Sequence, residues 1–114
     1  MEKIENQEYS ISYDAKTATI SCKGIIRLSD KEYPPLTKWL FRFVELEPTQ
    51  MILNLRELKA LNSSGITMLG KLVFAIEKKK TIQMILQANQ QVIWQKKLGV
   101  NFQRLMPNLQ IEWE

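Results

Sequence analysis

Two alternating runs open the chain. In EYSISYD (8–14), Tyr9, Ile11 and Tyr13 fall on one side; in TATISCKG (17–24), Ala18, Ile20 and Cys22 do the same. A period of two puts such residues on one face of a strand. Asp14-Ala15-Lys16 between them has hairpin length. The pattern predicts a β-hairpin and then a loop from Gly24 to Lys31. Pro34-Pro35 suits a helix start, and beyond it Leu36, Trp39, Leu40, Phe43 and Val44 recur at helical spacing and stop before Pro48. That is an amphipathic helix. TQMILNLREL holds a short apolar strand at 50–55, of the kind buried on both faces of a sheet.

A second helix is predicted over 63–79, with Ile66, Leu69, Val73 and Ile76 as its core stripe and Leu72 at the edge. TIQMILQA (81–88) reads as a strand, and QQVIWQKKLG (90–99) as a short helix closed by Gly99, the residue expected just past a helix end. NLQIEW (108–113) alternates as a last strand. The order is β-β-α-β-α-β-α-β. Crossover helices between strands imply a mixed sheet, parallel in part and entered by an antiparallel hairpin, in an α/β protein.

Composition changes this picture by exclusion. At 114 residues, 45% apolar and 25% charged, the chain reads as one soluble domain spanning 1–114. It has no histidine, which removes His-based acid–base chemistry and His-ligated metals. Its single cysteine, Cys22, excludes an intrachain disulfide and reads as a small buried hydrophobe. No cofactor and no metal are expected, and the scattered carboxylates suggest no catalytic pair, so an enzyme is not expected. No signal-like or membrane-spanning run is present, so the expectation is a cytoplasmic protein without membrane insertion. The net charge of +4 is modest, and its one run, Lys78-Lys79-Lys80, ends a predicted helix, where cations complement the dipole. A small basic nucleic-acid module is the less favoured alternative. Trp39, Trp94 and Trp113 are read as core packing.

One stretch resists the pattern. In ALNSSGITML (60–69), Asn62-Ser63-Ser64-Gly65 stands where a strand gives way to a helix. Asn62 or Ser63 can cap the free amides of the first turn, worth about 1 kcal/mol over alanine. Gly65 is not needed for a cap and costs roughly 1 kcal/mol inside a helix. Its missing side chain suggests an open first turn, where free amides and the dipole would favour an anion, such as a phosphate on Ser63.

The run resembles the signature of the STAS domain, the fold of bacterial anti-sigma factor antagonists, in which a strand ends in Asp-Ser-Ser-Gly and enters the second helix. The element order fits over nearly the whole chain, as do SCKG and VIWQKKLGV. The resemblance implies a STAS fold with helices packed mainly on one face, and a non-catalytic partner switch. In that family a serine kinase that is also an anti-sigma factor phosphorylates the first serine, and a PP2C-type phosphatase reverses it. The acceptor here would be Ser63, with Ser64 second. The family's aspartate is Asn62, and Arg27 stands where many antagonists carry an acidic residue; both raise local positive charge and point to a more acidic partner surface. The expected partner surface comprises Asn62, Ser63, Ser64, Gly65, Thr67, Met68, Lys71, Phe74, Arg27 and Leu28. Phe74 reads either as an aromatic anchor or as edge packing. A scaffold or sensor working without phosphorylation is the alternative within the fold, and a weak homodimer is compatible with it.

Overall fold

The predicted hairpin forms with one more strand in front of it. In the computed structural model, which describes all 114 residues, β1 (Glu2–Glu5) lies antiparallel to β2 (Tyr9–Asp14), and β2 to β3 (Thr19–Ile26). Ile4 faces Ile11, and Ile11 faces Cys22. β1 is charged at three of its four positions and packs on the core through Ile4 alone. It carries no periodic signal and forms because β2 offers it an edge; charged edges also deter further pairing.

β3 runs two residues beyond Gly24 and changes neighbour along its length. Its first half pairs in parallel with β4 (Gln50–Asn54), its second half with β5 (Leu58–Leu61), and the register shifts between Gly24 and Ile25. Gly24 has φ +86°, and a Cβ there would stand 2.2 Å from the carbonyl oxygen of Glu8. Glycine meets both demands. β4 continues to β6 (Gln83–Ala88) and β7 (Gln110–Trp113), all parallel, so the sheet order is β1-β2-β3-β4-β6-β7 with β5 beside β3.

The helices α1 (Tyr33–Glu45), α2 (Ser63–Lys79) and α3 (Ile93–Leu105) pack mainly on one face, α2 between the other two. The fold class expected from the sequence stands, with β1 and β5 as additional short strands. Beneath the helices lies one cluster of 28 buried residues. Tyr13 stacks on Phe43 at 3.9 Å, and Trp39 meets Phe43 edge-on at 5.0 Å. Cys22 is fully buried, and loss of hydration pushes its thiol up to about 12, as expected of a group packed as a hydrophobe.

Three sequence expectations are corrected. Because both flanks of α2 are covered, its buried stripe is Met68, Leu69, Leu72, Val73 and Ile76, while Ile66 is exposed. Gly99 does not close a helix. It lies inside α3, which runs on to Leu105, and a Cβ there would press on Ile111 at 3.2 Å and Trp113 at 3.4 Å. Trp113 is 40% exposed over that glycine rather than core, whereas Trp39 and Trp94 are half-buried against the core.

Candidate functional site at the start of α2

β5 delivers the chain to Asn62 in extended conformation, and α2 begins at the next residue. Asn62 is the cap, and every polar group it has is engaged. Its Oδ1 accepts from the Gly65 amide at 3.0 Å and from the Tyr33 hydroxyl. Its Nδ2 donates to the Leu28 carbonyl at 2.9 Å. Its backbone N–H donates to Ile26, and its carbonyl accepts from Ile66. The Tyr33 hydroxyl in turn accepts from the Leu28 amide at 3.4 Å. A half-buried ring of polar groups thus ties the β3–α1 loop, the start of α1 and the start of α2 together. Such rings are favourable only when complete; here each member has its partner. Burial is the main cause holding the Tyr33 phenol above its usual range, so it remains a neutral donor.

This ring explains why asparagine, not aspartate, stands at position 62. A carboxylate could cap the helix and accept from Tyr33, but it has no N–H for the Leu28 carbonyl. The negative charge absent there is supplied from the β3–α1 loop, where the Asp30 carboxylate accepts from the Ser64 hydroxyl. Asp30 and Tyr33 were not singled out from the sequence, because both act across more than 25 positions of chain. The nearest local signal is Ser29-Asp30-Lys31-Glu32, whose turn is closed by Ser29 N–H to Glu32 Oε1 at 2.9 Å.

The two serines therefore differ. Ser64 is partly buried and bound to Asp30. Ser63 is exposed, and its hydroxyl has no partner; its carbonyl accepts from Thr67 Oγ1 at 3.1 Å. Gly65 is not the open approach its sequence suggests. It is buried, and a Cβ there would lie 2.3 Å from Leu61 Cδ1 and 2.6 Å from the Tyr33 hydroxyl. Glycine is required by packing inside the molecule, so the expectation of an uncovered first turn at Gly65 is overturned.

Ser63, Thr67 and Phe74 share the outward face of α2, with Gly70 between them, where nothing lies within 4 Å of a Cβ. Phe74 is 52% exposed, so edge packing does not account for it; Lys78 Nζ stands 5.6 Å from its ring centre. Lys71 is exposed, whereas Met68, at 3% exposure, is part of the core and absent from this outward face, reaching the surface only at the floor of the groove beside α1. Arg27 adjoins Leu28 of the ring yet is held by Glu8 through two bonds of 3.0 and 3.1 Å, so it adds no free charge there. Leu28 is half-buried and contributes its backbone to the ring. The basic run at the far end is also engaged: Lys79 with Glu45 at 2.8 Å, Lys80 with Glu77 at 2.7 Å, Lys78 over Phe74.

Between α1 and α2 a groove of about 580 Å³ opens beside Ser64. Tyr33, Pro34 and Phe41 line it from α1, with Thr37 and Lys38; Met68 and Lys71 line it from α2. No three His, Cys, Asp or Glu side chains gather as they would around a metal ion, and no helix is long and apolar enough to cross a membrane.

No protein-family model matches the sequence, and no curated protein matches it. The likeness is one of structure. A chain of the Pseudomonas aeruginosa complex between the diguanylate cyclase SiaD and its activator SiaC superposes with a TM-score of 0.74 at 15% identity, covering both chains completely. SiaC itself, from the same organism, gives 0.70 at 17% identity over the whole of both chains. An anti-sigma factor antagonist from Mycobacterium paratuberculosis gives 0.60 at 18% identity, over 90% of this chain and 83% of the other. With its mixed seven-stranded sheet, three helices, and polar turn between β5 and α2, the chain has the STAS fold of the anti-sigma factor antagonists.

Proposed function

We propose that the 114 residues form one non-catalytic, cytoplasmic STAS domain that switches between protein partners. The outward face of α2 meets a serine kinase resembling an anti-sigma factor, and phosphorylation of Ser63 breaks that complex. The carrying observation is the contrast at the helix start: Ser63 is exposed and unbonded, while Asn62, Ser64 and Gly65 are each held in place. In the transfer, Ser63 Oγ attacks the γ-phosphorus of ATP, its proton passes to a base on the kinase, and ADP leaves. The product places a charge near −2 at the positive end of a 17-residue helix, which favours it. A PP2C-type phosphatase returns the hydroxyl by hydrolysis. Neither step needs a catalytic group, metal or cofactor on this chain. Phe74, exposed on the same face, is the anchor for the partner.

A second reading concerns the target of the unphosphorylated form. SiaC is described as the activator of a diguanylate cyclase and shares this fold end to end. That favours an effector enzyme, rather than an anti-sigma factor, as what the free domain engages.

Incubation with a serine kinase of the anti-sigma factor type and ATP, followed by mass spectrometry, tests the switch. Phosphate on Ser63, absent in Ser63→Ala, is the expected result. Intact kinase binding without any transfer overturns the switch and leaves a phosphorylation-independent scaffold.

A further inference from the structure

The groove between α1 and α2 has an apolar floor and a basic rim. Phe41 and the buried Met68 supply the floor. Lys38 from α1 and Lys71 from α2 stand at the rim, and neither is among the chain's ion pairs. The one carboxylate at the groove, Asp30, is turned to Ser64 at its end. Two uncompensated cations flanking an apolar channel call for an occupant with an apolar ridge and carboxylates on both sides of it.

From this complementarity we infer that the groove receives an acidic amphipathic helix of the protein partner, with an apolar side chain over Met68 and carboxylates against Lys38 and Lys71. The size fits side chains of a helix laid between two others. Charge argues against a second copy of this chain, which is itself basic at +4. The inference rests on the partner-switching reading and deepens it. The groove begins at Ser64, so a phosphate on the neighbouring Ser63 would lie at its mouth and oppose an acidic occupant. Phosphorylation would then act through charge shared by the acceptor and the groove.

The test uses three labelled helix-forming peptides with identical Leu and Phe positions, whose flanking residues are Glu, Gln or Lys. Binding is read by fluorescence anisotropy and located from the methyl resonances of the five methionines. The Glu peptide should bind most tightly and shift Met68 while leaving Met51 and Met84 unmoved. Lys38→Glu with Lys71→Glu, both at exposed positions, should weaken the Glu peptide at least about tenfold and strengthen the Lys peptide. Equal binding of the three peptides overturns the inference, as does binding that leaves Met68 unshifted. So does tight binding of dodecanoate with no peptide binding, which would make the groove a small-molecule site. Phosphate transfer to Ser63 is measured separately, so failure of the groove leaves the switch standing, and failure of transfer leaves the peptide result readable.

Discussion

Asn62 and Gln95 are the same device in two settings. Each is a side-chain amide at the start of a helix that joins backbone segments far apart in sequence. Gln95, fully buried, accepts from the Asn89 amide at 2.8 Å and donates to the carbonyls of Leu55 and Leu58 at 2.7 and 3.0 Å. It fixes the turn between β4 and β5 from below, and everything around it is sealed. Asn62 makes its bonds at the rim of the molecule, half-buried, with the exposed Ser63 directly after it. One amide serves the fold; the other caps a helix start whose next residue, Ser63, stays exposed. The difference lies in burial rather than in chemistry.

Exchanging each amide for its acid is the strongest probe of that comparison. Gln95→Glu buries a carboxylate against two carbonyls and should cost about 3–5 kcal/mol at pH 7. Its folded pKa would be raised above the unfolded value of about 4.3, so the lost stability should return as pH falls toward that value and vanish again as it rises. Urea unfolding at several pH values reads this directly. Gly65→Ala should cost about 1–2 kcal/mol, because the new methyl must displace Leu61 and the Tyr33 hydroxyl and loosen the ring; thermal unfolding measures it.

Asn62→Asp should cost only about 1 kcal/mol, since the lost bond to Leu28 is partly offset by charge at the helix N-terminus. A loss as large as that of Gln95→Glu would show that the two amides are equally sealed. Phe74→Ala should change stability by less than about 0.5 kcal/mol yet weaken partner binding, read by titration calorimetry. The smallest effect concerns Glu8, which the hydrogen bond from Arg27 holds below its usual value. A lowered carboxyl adds stability above its unfolded pKa that fades as pH falls through the folded one. Acid unfolding of Glu8→Gln, compared with the parent below about pH 4.5, should lack that fading.

The helices and interior strands were legible because burial imposes a period, and α1 with its proline start is the clearest case. β1 was not, since Glu2-Lys3-Ile4-Glu5 has one apolar residue and exists only by pairing. Gly99 misled because glycine signals a helix end locally, whereas here Ile111 and Trp113 demand it. The NSSG stretch was visible as an anomaly, and of the two caps it offered, Asn62 and Ser63, the structure uses Asn62. The reason for Gly65 was not: Tyr33 is 32 positions away, and close approach to one's own chain looks, in a sequence, like close approach to a ligand. Asp30 and the α1–α2 groove were hidden for the same cause, as both arise where the β3–α1 loop and α1 pack against the distant α2.

The handover along β3 has a kinetic consequence. β4 is flanked on both sides, whereas β5 has four residues and β3 as its one strand neighbour. Segments with fewer shared hydrogen bonds open at lower cost than the body they belong to. β5 and the first turn of α2 should therefore lift as a unit while β2, β3, β4 and β6 stay closed, and their amides should exchange with solvent sooner. The proposed acceptor, Ser63, then follows directly on a strand that can open without melting the layer beneath it.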